Sequence, residues 1–136
     1  MSAALQKDMA TMTLETLEAA QGALGEIMRC NEGSPERAAA QVPLLFRLRE
    51  LRSYTHFQKR LAEVSAALLV VTSHAGRETL TQPNLDALRD VFGRMAKIQE
   101  RDFTTQDADW CVQRLARGGL DIFDAFGEER LDDAGA

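Results

Sequence analysis

A chain of 136 residues that is 45% hydrophobic and 27% charged has material for one domain with a real core, in the proportions usual for a globular protein. Its two cysteines, Cys30 and Cys111, are isolated, with no CxxC and no His at zinc spacing, which argues against a zinc module and points to reduced thiols in a cytoplasm, the alternative being that the two pair. No positively charged start leads into an apolar run, and no apolar stretch approaches the ~20 residues that span a bilayer, so neither a secretory signal nor membrane insertion is expected.

The formal net charge of −5 is unevenly placed. Residues 121–136 carry Asp121, Asp124, Glu128, Glu129, Asp132 and Asp133 against Arg130 alone, and the rest of the chain balances. A local excess of the opposite sign lies at Arg47, Arg49, Arg52, Lys59 and Arg60, opposed by Glu50. Charge asymmetry of this kind is an electrostatic handle for a partner.

Few Gly and Pro, with abundant Ala, Leu, Arg, Glu and Gln, favour helix throughout. The first helix is expected from Ala3 to about Cys30, on the stripe Leu5, Met9, Met12, Thr16, Ala20, Ala23 and Ile27, widened by Leu17, Leu24 and Met28. Gly22 and Gly25 lower its propensity, and their expected use is a close helix crossing. Asn31 to Pro35 is a turn: Gly33 suits a left-handed closing residue, Ser34 an N-cap and Pro35 the first helical position. A short helix from Glu36 to Gln41 should follow, with a break or kink before Pro43.

The centre of the fold is expected from Leu44 to Val71. Phe57, Leu61, Val64, Leu68 and Val71 recur at helical spacing, and the residues from Ala66 to Val71 are continuously apolar, as in a helix buried on several sides. Leu44, Leu48 and Leu51 form a second seam, out of phase with the first across Ser53, Tyr54 and Thr55. Without Gly or Pro there, the spacing favours one continuous, bent helix. The alternative is a break, with Thr55 and Gln58 as a capping box. His74 and Gly76 should end the helix. After a connection from Arg77 to Gln82, Leu85, Leu88, Val91, Phe92, Met95 and Ile98 define the next, ending near Arg101.

Thr104 to Asp107 reads as another helix start, with Asp107 and Asp109 in the first turn where acids are favourable. Trp110, Cys111, Leu115, Ile122, Phe123 and Phe126 carry its apolar face. Gly118-Gly119 interrupts it, either as a break or as a smooth surface for close packing. The expected fold is therefore all-α, an antiparallel bundle of four principal helices, five or six where breaks divide them. It forms a single domain over residues 1–131, with 132–136 a disordered acidic tail.

Chemistry finds little purchase. Neither His has a Glu three residues before it, which removes the di-metal bundle motif; there is no GxSxG, and Gly118-Gly119 lacks the following Lys-Ser or Lys-Thr of a phosphate loop. No cofactor is implied. His56-Phe57-Gln58-Lys59 resembles the exposed His and following Lys of histidine phosphotransfer domains, which are four-helix bundles. In that family a Gly and small residues come next, leaving room for a docking receiver domain, whereas here Arg60, Leu61 and Ala62 stand. The resemblance implies a phosphotransfer role for His56 as one alternative. A bundle that binds a small apolar ligand between its helices, which the Met-rich first helix and the aromatic C-terminal helix would suit, is another.

Arg49, Arg52, His56, Lys59 and Glu63 would share one stripe of a continuous helix. The acidic balance and missing aromatic stacking partners argue against nucleic acid. The leading expectation is a non-enzymatic cytoplasmic protein acting through protein–protein contacts, as an adaptor, regulator or structural subunit, and forming a homodimer. The residues expected to meet partners are Arg49, Arg52, His56, Lys59, Arg60, Trp110, Phe123 and Phe126.

Overall fold

The computed structural model describes residues 3–77 and 79–123, with side chains from Asp8 onward. Among them there is no strand, and five helices pack against one another: α1 Ala3–Met28, α2 Pro35–Tyr54, α3 Lys59–Ala75, α4 Gln82–Met95 and α5 Thr105–Arg117. α1 lies along α2 and also touches α4. α3 fills the space between α2 and α5, and α4 packs on α5. The all-α expectation holds, with five helices. Residues 124–136, which include Phe126 and the expected tail, lie outside the described residues.

The start of α2 follows the local signals. Gly33 takes φ +80°, Ser34 Oγ accepts the Arg37 amide at 3.1 Å, and Pro35 is the first helical residue. Of the break or kink expected at Pro43, the break does not occur: α2 runs through it and absorbs the short helix expected at Glu36–Gln41. A proline inside a helix leaves the carbonyl four residues back without its donor. Here that carbonyl belongs to Ala39, and Ala39 and Pro43 are both exposed, so solvent takes the place of the missing amide.

The expected continuous helix from Leu44 to Val71 is broken instead. Thr55–Phe57 form a 3-10 turn, and Gln58 is extended at φ −134° and ψ 122°. Buried Thr55 does not begin the next helix, as the capping-box alternative had it. Its hydroxyl donates to the Leu51 carbonyl at 2.8 Å and lies 2.9 Å from Ser65 Oγ, drawing it back on α2. Gln58 Oε1 accepts the Phe103 amide at 3.2 Å, a tertiary contact that the extended backbone allows. Beyond the break the periodicity is obeyed: Leu61, Val64, Leu68 and Val71 are buried at the centre of the core.

Gly22 and Gly25 do not serve a close crossing. A Cβ at either would meet nothing within 4 Å, and the same is true of Gly93 in α4. They therefore carry the entropic cost of glycine with no packing return. The double variant Gly22→Ala/Gly25→Ala is expected to gain about 1–2 kcal/mol in urea unfolding. An unchanged or lower midpoint would show that the α1 backbone is needed bare.

α4 and α5 each begin with a full capping box, Thr81 with Asn84 and Thr104 with Asp107. At the far end of α5, the Gly118-Gly119 pair is a break. Gly119 takes φ +86°, its amide donates to Ala116, and the Leu120 amide donates to Leu115 at 2.9 Å. This is the Schellman pattern, and Leu115 and Leu120 are both buried beneath it.

Candidate functional site

Two buried polar clusters tie the helices together. Arg37, 3% exposed, donates through Nε to the Leu80 carbonyl at 2.9 Å and through NH1 to the Cys30 and Ile27 carbonyls at 3.0 and 3.4 Å. It thereby brings positive charge to the C-terminal end of α1, whose last turn has no base of its own. Gln41 Oε1 accepts the Leu80 amide at 2.6 Å in the same layer.

Asp107 is the second, 1% exposed in its side chain. Arg101 donates to both carboxylate oxygens at 2.6 and 2.8 Å, Arg94 Nε donates at 2.7 Å, and the Thr104 amide at 2.8 Å. The hydrogen bonds from Arg101 hold the carboxyl well below the usual carboxylate range, against burial, which pushes the other way; Thr104 and Arg94 add to them. The Arg94 guanidinium lies over the Trp110 ring, 4.9 Å from its centroid. Beneath them, burial pushes the Cys111 thiol up to about 12, so it stays protonated and unreactive at neutral pH.

The residues expected to meet partners separate into groups. Arg49 and Arg52 are exposed on the second half of α2. His56 is exposed in the 3-10 turn, and Lys59 is exposed as the first residue of α3, so the break divides what would have been one basic stripe. Arg60 turns away, donating to Thr105 Oγ1 at 3.2 Å and pairing with Glu63 at 2.9 Å. Trp110 is half-buried under Arg94, and Leu115 is in the core, so the aromatic side of α5 is largely covered within the chain. Phe123 is 82% exposed.

Among the described residues, Val42 and Phe46 are the most exposed large apolar side chains after Phe123, at 50% and 57%. A helix start near Pro43 leaves Val42 outside it, and Phe46, inside the expected helix but opposite the Leu44–Leu48 seam, is not singled out by spacing. Phased through the proline, Val42, Phe46 and Arg49 fall at i, i+4 and i+7, roughly 160° round the helix from the Leu44–Leu48 seam for the first two. The Arg49 guanidinium lies 5.8 Å from the Phe46 ring centroid. Arg47 is occupied by Glu50 at 3.1 Å, whereas Arg49 and Arg52 have no acidic partner among the described residues. The outward face of α2 thus presents two apolar side chains beside two cations that have no acidic partner among the described residues.

A surface cavity of about 160 Å³ between α1 and α2 is lined by Met12, Glu15, Thr16, Arg47, Glu50 and Tyr54. Ligand pockets are commonly on the order of 300–1,000 Å³ and mostly apolar. No group of three His, Cys, Asp or Glu among the described residues is placed to hold a metal ion. No described helix is long and apolar enough to cross a membrane. Comparison with protein-family models, with curated proteins and with solved structures finds no match to this chain.

Proposed function

We propose that this chain is a non-enzymatic cytoplasmic interaction protein, an adaptor or regulator that works as a homodimer, with the outward face of α2 as its docking surface. The observation that carries the reading is the exposure of Val42 and Phe46 beside Arg49 and Arg52. Burying a Phe or Val side chain gains about 1.5–3 kcal/mol, so a partner that covers both has a substantial apolar return. The arginines then select what covers them. A segment with apolar anchors flanked by carboxylates is favoured, and a basic one is repelled. The free thiols of Cys30 and Cys111 accord with a reducing compartment.

The phosphotransfer alternative rests on His56 alone. Its ring is exposed, as that role requires, but it sits in a 3-10 turn with extended Gln58 between it and Lys59, so the two do not share a helical register.

The test is fluorescence anisotropy with two synthetic amphipathic peptides that share apolar anchors and differ in Glu or Lys flanks. The Glu peptide is expected to bind, to weaken with added salt, and to lose about tenfold or more in affinity on Phe46→Asp. Equal affinity for both peptides, or none for either, would sink the reading.

A further inference from the structure

We propose that, in the homodimer, residues 124–136 of each copy lie on the α2 face of the other. The inference rests on the reading of α2 as a docking surface and names its occupant.

Three observations lead there. The first is chemical. Residues 124–136 carry Asp124, Glu128, Glu129, Asp132 and Asp133 against Arg130, a net −4, together with the apolar Phe126 and Leu131. That is the composition the α2 face selects: apolar side chains for Val42 and Phe46, carboxylates for Arg49 and Arg52. The second is where the chain leaves the fold. Gly118 and Gly119 sit against Pro83 and Asn84 at the start of α4, and Leu80, just before it, is bonded to Arg37 and Gln41 in the first turns of α2. The segment therefore departs from the end of the bundle where α2 begins. Thirteen extended residues reach roughly 40 Å, while Arg37 to Phe46 is about 14 Å of helix, so distance is no obstacle.

The third is symmetry. Phe123, the last described residue, and Phe46 are 82% and 57% exposed, so each end of the route offers apolar surface to a second copy. A contact of α2 with α2 across a two-fold axis would oppose Arg49 and Arg52 with their own copies. Reciprocal exchange instead sets basic against acidic twice, and it closes, which avoids an open chain of subunits. Two such contacts are also needed to approach the roughly 1,200 Å² of a stable interface, which one short segment does not supply. A protein partner carrying an acidic apolar segment would then compete with the dimer for the same face.

The experiment uses the full chain. A carbodiimide joins carboxylates directly to lysine amines, and the chain has three lysines, Lys7, Lys59 and Lys97, of which Lys59 follows α2 by a few residues. Light and heavy isotopic chains are mixed, cross-linked and mapped. The expected product joins Lys59 of one isotope to an acid in 124–133 of the other. Sedimentation should show a dimer at micromolar concentration that dissociates about tenfold more readily in the variant Asp124→Asn/Glu128→Gln/Glu129→Gln/Asp132→Asn/Asp133→Asn. The same variant should bind the Glu-flanked peptide more tightly, since the competing segment has lost its carboxylates. Cross-links confined to one isotope, a monomeric wild type, or a variant that dimerises unchanged would each overturn the exchange. If the peptide then binds wild type and variant equally, the exchange fails while the docking face stands. If it binds neither, the docking face fails as well.

Discussion

Asp107→Ala should lower the unfolding free energy by about 3 kcal/mol. The substitution removes the partner of Arg94 and the bidentate partner of Arg101, and it leaves the Thr104 amide at the start of α5 without its acceptor. Breaking a fully buried charge pair commonly costs about 3–5 kcal/mol. The lower end applies because the Arg94 and Arg101 side chains are 30% and 44% exposed and water recovers part of what they lose. Asp107→Asn separates the contributions. Its carbonyl oxygen still accepts the Thr104 amide, so most of what it loses is charge. Urea unfolding of both variants at neutral pH is the measurement. A loss under half a kcal/mol in the alanine variant would mean that the network is an accessory of the fold and not one of its supports.

The same carboxyl sets a pH dependence with a definite sign. Its folded pKa lies below its unfolded one, so the unfolded chain binds the proton more readily. The stabilisation is fully present above the ordinary carboxylate range, near pH 4, and is lost progressively as pH falls through that range toward the depressed value. Between pH 5 and 2 the wild-type midpoint should therefore fall more steeply than that of Asp107→Asn. Parallel curves would assign the acid sensitivity to other groups.

What could be read from the sequence was whatever is decided within a turn or two of chain. Ser34 with Pro35 and Thr104 with Asp107 announce helix starts because the capping oxygen and its amide are neighbours, and Leu61, Val64, Leu68 and Val71 announce the core by spacing alone. What was not legible depends on distant groups. The break after Tyr54 is fixed by Ser65 and Phe103, which stand ten residues from Thr55 and 45 from Gln58. Arg37 reads as a surface base in the first turn of a helix, and only the fold reveals the carbonyls of Ile27, Cys30 and Leu80 around it. Pro43 reads as a break or kink because its cost depends on whether the Ala39 carbonyl faces solvent; that reading leaves Val42 outside the helix, while Phe46 lies inside it on the side away from the Leu44–Leu48 seam. Asp107 was seen as a helix-start acid, but nothing in the spacing shows that Arg94 and Arg101 converge on it.

Gly118→Ala is expected to cost about 3 kcal/mol, above the middle of the range for overpacking. The reason is steric and not conformational. Gly118 has φ −88°, which any residue adopts, so the left-handed penalty falls on its neighbour Gly119. A Cβ on Gly118, however, would collide with the Ala87 Cβ and lie 2.8 Å from the Pro83 carbonyl oxygen. Neither is the end of a flexible side chain: both belong to the first turns of α4, where the Thr81–Asn84 box fixes the backbone. Moving Gly118 away instead strains the 2.7 Å bond from Asn84 Nδ2 to its carbonyl, the tie between the start of α4 and the end of α5. The glycine pair is thus both a helix stop and a close-packing surface, Gly119 serving the first role and Gly118 the second. Gly119→Ala, with its φ of +86° and a Cβ that would lie 3.1 Å from Asn84 Nδ2, should lose about 1–2 kcal/mol, chiefly for the left-handed backbone. Ala87→Gly separates the two roles. Removing the facing methyl should recover part of the loss in Gly118→Ala and none of the loss in Gly119→Ala, a coupling that a double-mutant cycle by urea unfolding reads directly. Should Gly118→Ala unfold within half a kcal/mol of wild type, or Ala87→Gly rescue both variants equally, the contact between α4 and the end of α5 is looser than the packing described above.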